Sequence, residues 1–242
     1  GETLPDVFGA SSPKGNYADM TTKGWEITLT WRDQFTLAEK PFNYEIRGTL
    51  SDYISTIDRY NNQTGNLDDY YAGKRVGEIW GYEANDLFLT NQEVDEYLRG
   101  VDMSFFKPNK DWQRGDLKYI DSNGDGKIDP GSGTLKDHGD LKIIGNTTPR
   151  YSFGLNLHAG YKGFEVSALF QGVMKRDFPM AASTYLFSGD SNFFKEHLDY
   201  YNVYNPGAYL PRLTKPDSPE YNANVGYNTS RYLLNAAYMR LK

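Results

Sequence analysis

The chain has 242 residues and a net charge of −6, so it lacks the basic excess that would neutralise phosphates, which argues against a nucleic-acid partner. It contains no cysteine, and this excludes disulfides, thiolate nucleophiles and Cys-ligated zinc. Its apolar runs are too short for a transmembrane helix, which leaves alternating β-strands as the way such a chain would cross a membrane.

Five segments show period-two alternation, in the order near 24–33, 42–51, 151–161, 164–171 and 238–242. In the first, Trp25, Ile27, Leu29 and Trp31 take one face while Glu26, Thr28, Thr30 and Arg32 take the other. The second sets Phe42, Tyr44, Ile46 and Leu50 against Asn43, Glu45, Arg47, Thr49 and Ser51. The third sets Tyr151, Phe153, Leu155, Leu157, Ala159 and Tyr161 against Ser152, Asn156 and His158. The fourth sets Phe164, Val166, Ala168 and Phe170 against Glu165, Ser167 and Gln171, and the fifth is cut short at Lys242. Aromatic residues bracket aliphatic ones on the apolar face, as two aromatic girdles around an aliphatic band would require. Charges at mid-strand on the opposite face fit a wet lumen, and they also fit the solvent face of a soluble sandwich.

The connections alternate in length. A short stretch around Gln34 to Pro41 joins the first two strands, and a tight Lys162-Gly163 turn joins the third and fourth. Long loops near 56–148 and 175–235 make the other two connections. Outer-membrane barrels have short turns at one end and long loops at the other, whereas compact soluble domains seldom carry such loops. The expected fold class is therefore all-β: about five strands of a larger transmembrane antiparallel β-barrel, with long, ordered extracellular loops. The first loop predicts a short helix over 91–99 behind a Thr90 or Asn91 cap. The second is rich in rings, among them Tyr185, Phe187, Phe193, Phe194, Tyr200, Tyr201, Tyr204 and Tyr209.

One compact motif stands out, Asp121-Ser-Asn-Gly-Asp-Gly-Lys-Ile-Asp129. It matches the first half of a calcium loop, with oxygens from Asp121, Asn123, Asp125, the Lys127 carbonyl and Asp129. Where an EF-hand places its bidentate Glu, this chain has Ser132, so Asp137 or Asp140 would have to complete the shell. A turn-rich Asn/Gly/Asp loop without an ion is the competing reading. Ca2+ is the one cofactor the sequence suggests, and nothing requires it. His138, His158 and His197 have no metal-ligand spacing, and no Gly-x-Ser-x-Gly elbow marks a nucleophile, so no catalytic residue and no enzyme activity is expected.

The series of motifs resembles SusC/RagA-like TonB-dependent outer-membrane transporters. Gly24-Trp-Glu before an alternating strand is similar to that family's "GwE" strand. The stretch Arg114-Gly-Asp-Leu-Lys-Tyr-Ile-Asp-Ser-Asn-Gly-Asp-Gly-Lys-Ile128 resembles its "pGDikyxDxNgDGxI" segment, with Arg114 where the family often has Pro. Asp140 to Gly154, Phe164 to Gly172 and the closing Tyr238-Met-Arg-Leu-Lys242 follow in the family's order and spacing. The resemblance implies a middle-to-late segment of a barrel of about 22 strands. It further implies import of oligosaccharides or peptides in a Bacteroidetes-type bacterium, a SusD-like lipoprotein over the extracellular mouth, and energy from TonB through parts absent from this chain. The short turns would face the periplasm and the loops the outside. Tyr70, Tyr71, Trp80, Tyr82, Tyr200 and Tyr201 are then the candidates for contact with substrate or lipoprotein, against the alternative that they pack within the loops. The competing function is a soluble extracellular glycan-binding β domain stabilised by calcium. A secreted carbohydrate-active enzyme is a weaker third.

Overall fold

The structure is a computed structural model that describes residues 18–107, 111–180, 195–215 and 218–242; Tyr185, Phe187, Phe193 and Phe194 lie outside the described residues. The first strands are β1 (Asp19–Leu37), β2 (Lys40–Arg59), β3 (Glu78–Gly81), β4 (Ala84–Leu87), β5 (Leu117–Tyr119) and β6 (Lys142–Asn146). Then come β7 (Arg150–Tyr161), β8 (Phe164–Lys175), β9 (Asp177–Pro179), β10 (Tyr200–Tyr201), β11 (Leu210–Arg212), β12 (Leu233–Asn235) and β13 (Tyr238–Leu241). Helix α1 (Asn91–Leu98) lies between β4 and β5, and α2 (Pro219–Val225) between β11 and β12. The fold is all-β in character, built on one antiparallel sheet in the order β1-β2-β7-β8-β13. The sheet is open, not closed on itself.

Two-residue turns join the hairpins. Ala38 and Glu39 have φ of 45° and 61°, and Lys162 and Gly163 have φ of 51° and 83°. Two successive positive φ angles match the right-handed twist of the flanking strands. The first turn is tighter than the sequence suggests, because Phe35 pairs with Phe42 and Leu37 with Lys40, so β1 runs three residues past Gln34. The alternation simply continues through Phe35 and Leu37.

Register carries the apolar positions across all five strands. Ile27 opposes Leu50 and Trp31 opposes Ile46, and Ile46 in turn opposes Leu157. Leu157 opposes Ala168, Leu155 opposes Phe170, and Phe170 opposes Leu241. This face has no packing partner among the described residues: Leu29 is 73% exposed and Phe164 is 79% exposed. Rings gather near the hairpin turns, where Phe35 and Phe42 lie 5.0 Å apart and Phe42 and Tyr161 lie 6.2 Å apart. Trp31 donates to the Tyr44 hydroxyl at 3.2 Å. On the opposite, polar face Arg32 pairs with Glu45 at 2.6 Å, and His158 Nδ1 lies 3.0 Å from Ser167 Oγ.

The hydrophobic core cluster lies outside this sheet. Its members come from the connection between β2 and β7, including Tyr82, Phe88, Met103, Phe106, Trp112, Leu117 and Tyr119, and from that between β8 and β13, including Tyr201, Leu210, Val225 and Tyr232. Phe106 and Tyr119 stack at 4.1 Å, and Tyr82 meets Tyr119 edge-on at 5.6 Å. Thr90 caps α1 by accepting from Glu93 N at 3.1 Å, and this helix seats Val94 in the core. The two long connections therefore fold together into one body at the end of the sheet opposite the hairpin turns.

Glu39 occupies a left-handed conformation that costs a non-glycine residue on the order of 1 kcal/mol. Glu39→Gly should therefore raise the stability of the protein by up to about 1 kcal/mol, less the added freedom of the unfolded chain. A higher urea midpoint in refolding would register the gain.

Candidate functional site

The loop body is organised by one buried carboxylate. Asp116 follows Gly115 at the entry to β5 and is fully buried. Its Oδ2 accepts from Lys107 Nζ at 2.6 Å and from Gln113 N at 2.8 Å. Its Oδ1 accepts from Arg212 Nε at 2.6 Å and from Asn224 Nδ2 at 2.9 Å. Lys107 and Gln113 belong to the first connection, Arg212 and Asn224 to the second. Burial lowers the Lys107 pKa from the usual lysine range, against the attraction of Asp116, and its ammonium sits 4.3 Å over the Trp112 ring. Asn224 completes the bond set by accepting from Leu117 N at 2.8 Å. A buried ion pair is tolerable when its remaining donors and acceptors are satisfied, as these are.

Backbone bonds reinforce the same join. Arg212 N donates to Gly115 O at 2.8 Å, Tyr82 N donates to Asn228 O at 2.9 Å, and Ser230 N donates to Tyr82 O at 3.0 Å. Gly115 has φ of 85°, and a Cβ there would lie 2.2 Å from the Tyr201 ring. Only glycine fits, both for the backbone conformation and for the ring.

The six aromatic candidates divide by burial. Tyr71, Tyr82 and Tyr201 are buried. The Tyr71 hydroxyl donates to Glu78, Tyr82 packs among Phe106, Tyr119 and Tyr227, and the Tyr201 hydroxyl donates to Leu89 O at 2.9 Å. These three rings hold the loops together. Trp80 is half-buried, donating to Glu78 Oε1 at 2.8 Å with its ring 5.6 Å from His138, and Tyr200 is half-buried at the start of β10. Tyr70 is 47% exposed beside Tyr60. Among the described residues the most open tyrosine is Tyr204, 95% exposed in the turn between β10 and β11, with Val203 and Leu198 near it in sequence.

The segment 121–129 forms a chain of side chain–backbone turns. Asp121 accepts from Gly124 N at 2.6 Å and Gly126 N at 2.9 Å. Asn123 accepts from Asp125 N, Asp125 from Lys127 N, and Asp129 from Gly131 N. Asp140, buried, accepts from Ser122 N at 2.7 Å and Asp129 N at 3.0 Å, and its burial raises its pKa above the usual carboxylate range. Asp137 accepts from Ser132 N at 2.9 Å. In this arrangement the oxygens serve backbone donors, and among the described residues no three His, Cys, Asp or Glu side chains form a group that could hold a metal ion.

The Asp116 hub escapes a reading by spacing, because its partners Arg212 and Asn224 lie about a hundred residues away along the chain. The nearest sequence signal is the Arg114-Gly-Asp stretch that contains it.

Asp116→Ala leaves Lys107 buried without its counter-ion and should cost about 3–5 kcal/mol. Limited proteolysis of the full-length protein should then cut the loops while the sheet survives. Asp121→Ala removes the acceptor for two glycine amides and should cost about 1–2 kcal/mol. Faster amide exchange over 121–126 is the expected result.

No family model matches the sequence. The TonB-dependent receptor P3 of Formosa agariphila is 25% identical over 255 aligned positions, which take in 99% of this chain and 22% of that protein. The solved structure of the RagAB peptide transporter contains a chain similar in fold, with a TM-score of 0.58 at 15% identity, covering 99% of this chain and 24% of that one. The chain thus spans about a quarter of the length of these relatives. Along nearly its whole length it resembles a segment of a SusC/RagA-like TonB-dependent receptor, in sequence to the one and in fold to the other.

Proposed function

We propose that the chain is part of the wall and mouth of a TonB-dependent outer-membrane transporter that imports oligosaccharides or peptides. The observation that carries this reading is the continuous apolar face of the five-stranded sheet, which the chain leaves unburied. In a soluble domain so large an open apolar face would drive aggregation; against lipid it is the stable arrangement. From Trp25 to Phe35, β1 runs about 34 Å, and a strand inclined by about 45° would cover about 24 Å of height, close to the apolar band of outer-membrane barrels. The polar face, with Arg32, Glu45, Arg47 and Glu165, would then line the lumen.

In this reading the two-residue turns lie on the periplasmic side and the loop body on the cell surface. A SusD-like lipoprotein would meet the loop body, and TonB would act through regions that flank this segment in its relatives. The RagAB structure is of a peptide transporter, and this supports import as the task without fixing the cargo here. The chain would carry no catalytic step.

Leu29, at the middle of the apolar stretch of β1, provides the test. Leu29→Arg should cost about 2–4 kcal/mol in membrane insertion. Refolding of the full-length protein into vesicles over a denaturant series measures it. Insertion equal to the parent would refute a lipid-facing β1.

A further inference from the structure

At the base of the loop body β2 changes partners. Up to Ser51 it pairs with β7; beyond, Val76 N donates to Ser55 O at 2.9 Å and Ile57 N donates to Lys74 O at 2.9 Å. The fork between the two partners opens a cavity of about 560 Å³. Tyr53 and Lys175, on its wall, occupy register positions of the polar face of the sheet.

The charges in this cavity are unequally satisfied. Glu78 accepts from the Tyr71 hydroxyl, Trp80 Nε1 and Arg75 N, and Asp177 accepts from Asn146 N at 2.9 Å. Both acids are thus engaged by protein donors. The Arg75 guanidinium and the Lys175 ammonium have no acceptor among the described residues. Two open rings line the same cavity, Tyr53 at 46% exposure and Tyr151 at 39%. Tyr151 is held at φ of 54°, its N–H donating to Asp52 Oδ1 at 3.3 Å and its ring 5.3 Å from Arg150, which itself pairs with Asp52. A bulky residue kept in the left-handed region marks a place where surrounding structure imposes a conformation, and such places cluster at ligand sites.

We propose that this cavity binds the acid group of an anionic oligosaccharide, a proposal that rests on the transport reading above and names its substrate class. Arg75 and Lys175 supply charge-assisted donors for a carboxylate, and Tyr53 and Tyr151 supply faces for the sugar rings. A peptide would carry the same carboxylate chemistry. Binding a peptide by strand addition would also need free backbone groups, and the amides of Ile57, Val76 and Asn146 are already bonded within the protein.

The test is calorimetric titration of the purified full-length protein with hexagalacturonate, neutral galactohexaose and a glutamate-rich hexapeptide. The acidic sugar should bind at least about tenfold tighter than the neutral one, and Arg75→Gln and Lys175→Gln should each weaken it about tenfold. Equal affinity for the two sugars, binding of neither, or variants that bind as the parent does overturns the proposal. Preference for the hexapeptide overturns the assignment to a sugar. Gene deletion separates this from the transport reading. If deletion abolishes uptake of a nutrient and the double variant restores it in full, the site is wrong and transport stands. If deletion leaves uptake of every oligosaccharide and peptide tested intact, the transport reading itself falls.

Discussion

Everything above the sheet depends on one buried carboxylate. Asp116 draws a lysine and a backbone amide from one connection and an arginine and an amide side chain from the other. Taking charges out of water costs several kcal/mol per ion, and the cost is recovered only when geometry and hydrogen bonding are complete. The arrangement therefore has little tolerance for partial formation. The Phe106–Tyr119 stack and the buried rings of Tyr82 and Tyr201 supply the apolar burial, while Asp116 dictates which segments meet.

The sheet obeys a different logic. It has continuous ladders between neighbouring strands and yet no core of its own. Its apolar face is open, and its outer edges at β1 and β13 present unpaired backbone groups. The chain thus joins two stability regimes: a loop body that buries its own apolar surface, and a wall whose apolar surface is left for its surroundings to cover. This division explains why the charge and burial patterns of the two halves look so unlike each other.

The wall was legible in the sequence because side-chain direction in a strand has a period of two, so Trp25, Ile27, Leu29 and Trp31 announce their common face without any knowledge of partners. Helix α1 was legible for the same local reason, through the Thr90 cap and its periodicity. The end of β1 was placed short because Gln34 to Pro41 reads as a loop, while the actual turn consists of two residues without a glycine. Most opaque was the loop interior. Whether Tyr70 or Tyr71 faces water is settled by Glu78 and Trp80, and no local pattern separates the two adjacent tyrosines. The aspartates of 121–129 carry a similar ambiguity, since the residues that would cradle a cation are also those that cap tight turns.

Three of the joints between wall and loop body are short. Arg176 alone separates β8 from β9, Ala236 and Ala237 separate β12 from β13, and Thr147 to Pro149 separate β6 from β7. They are also tied to one another: Ala236 N donates to Arg176 O at 2.7 Å, and Arg176 Nε donates to Thr147 O at 3.1 Å. The ladder of β9 and β12 runs on from that of β8 and β13. Through these joints a push on the outer surface of the loop body is transmitted to the strands beneath. Mechanically, the described part of the loop body is a block fastened to the end of the sheet.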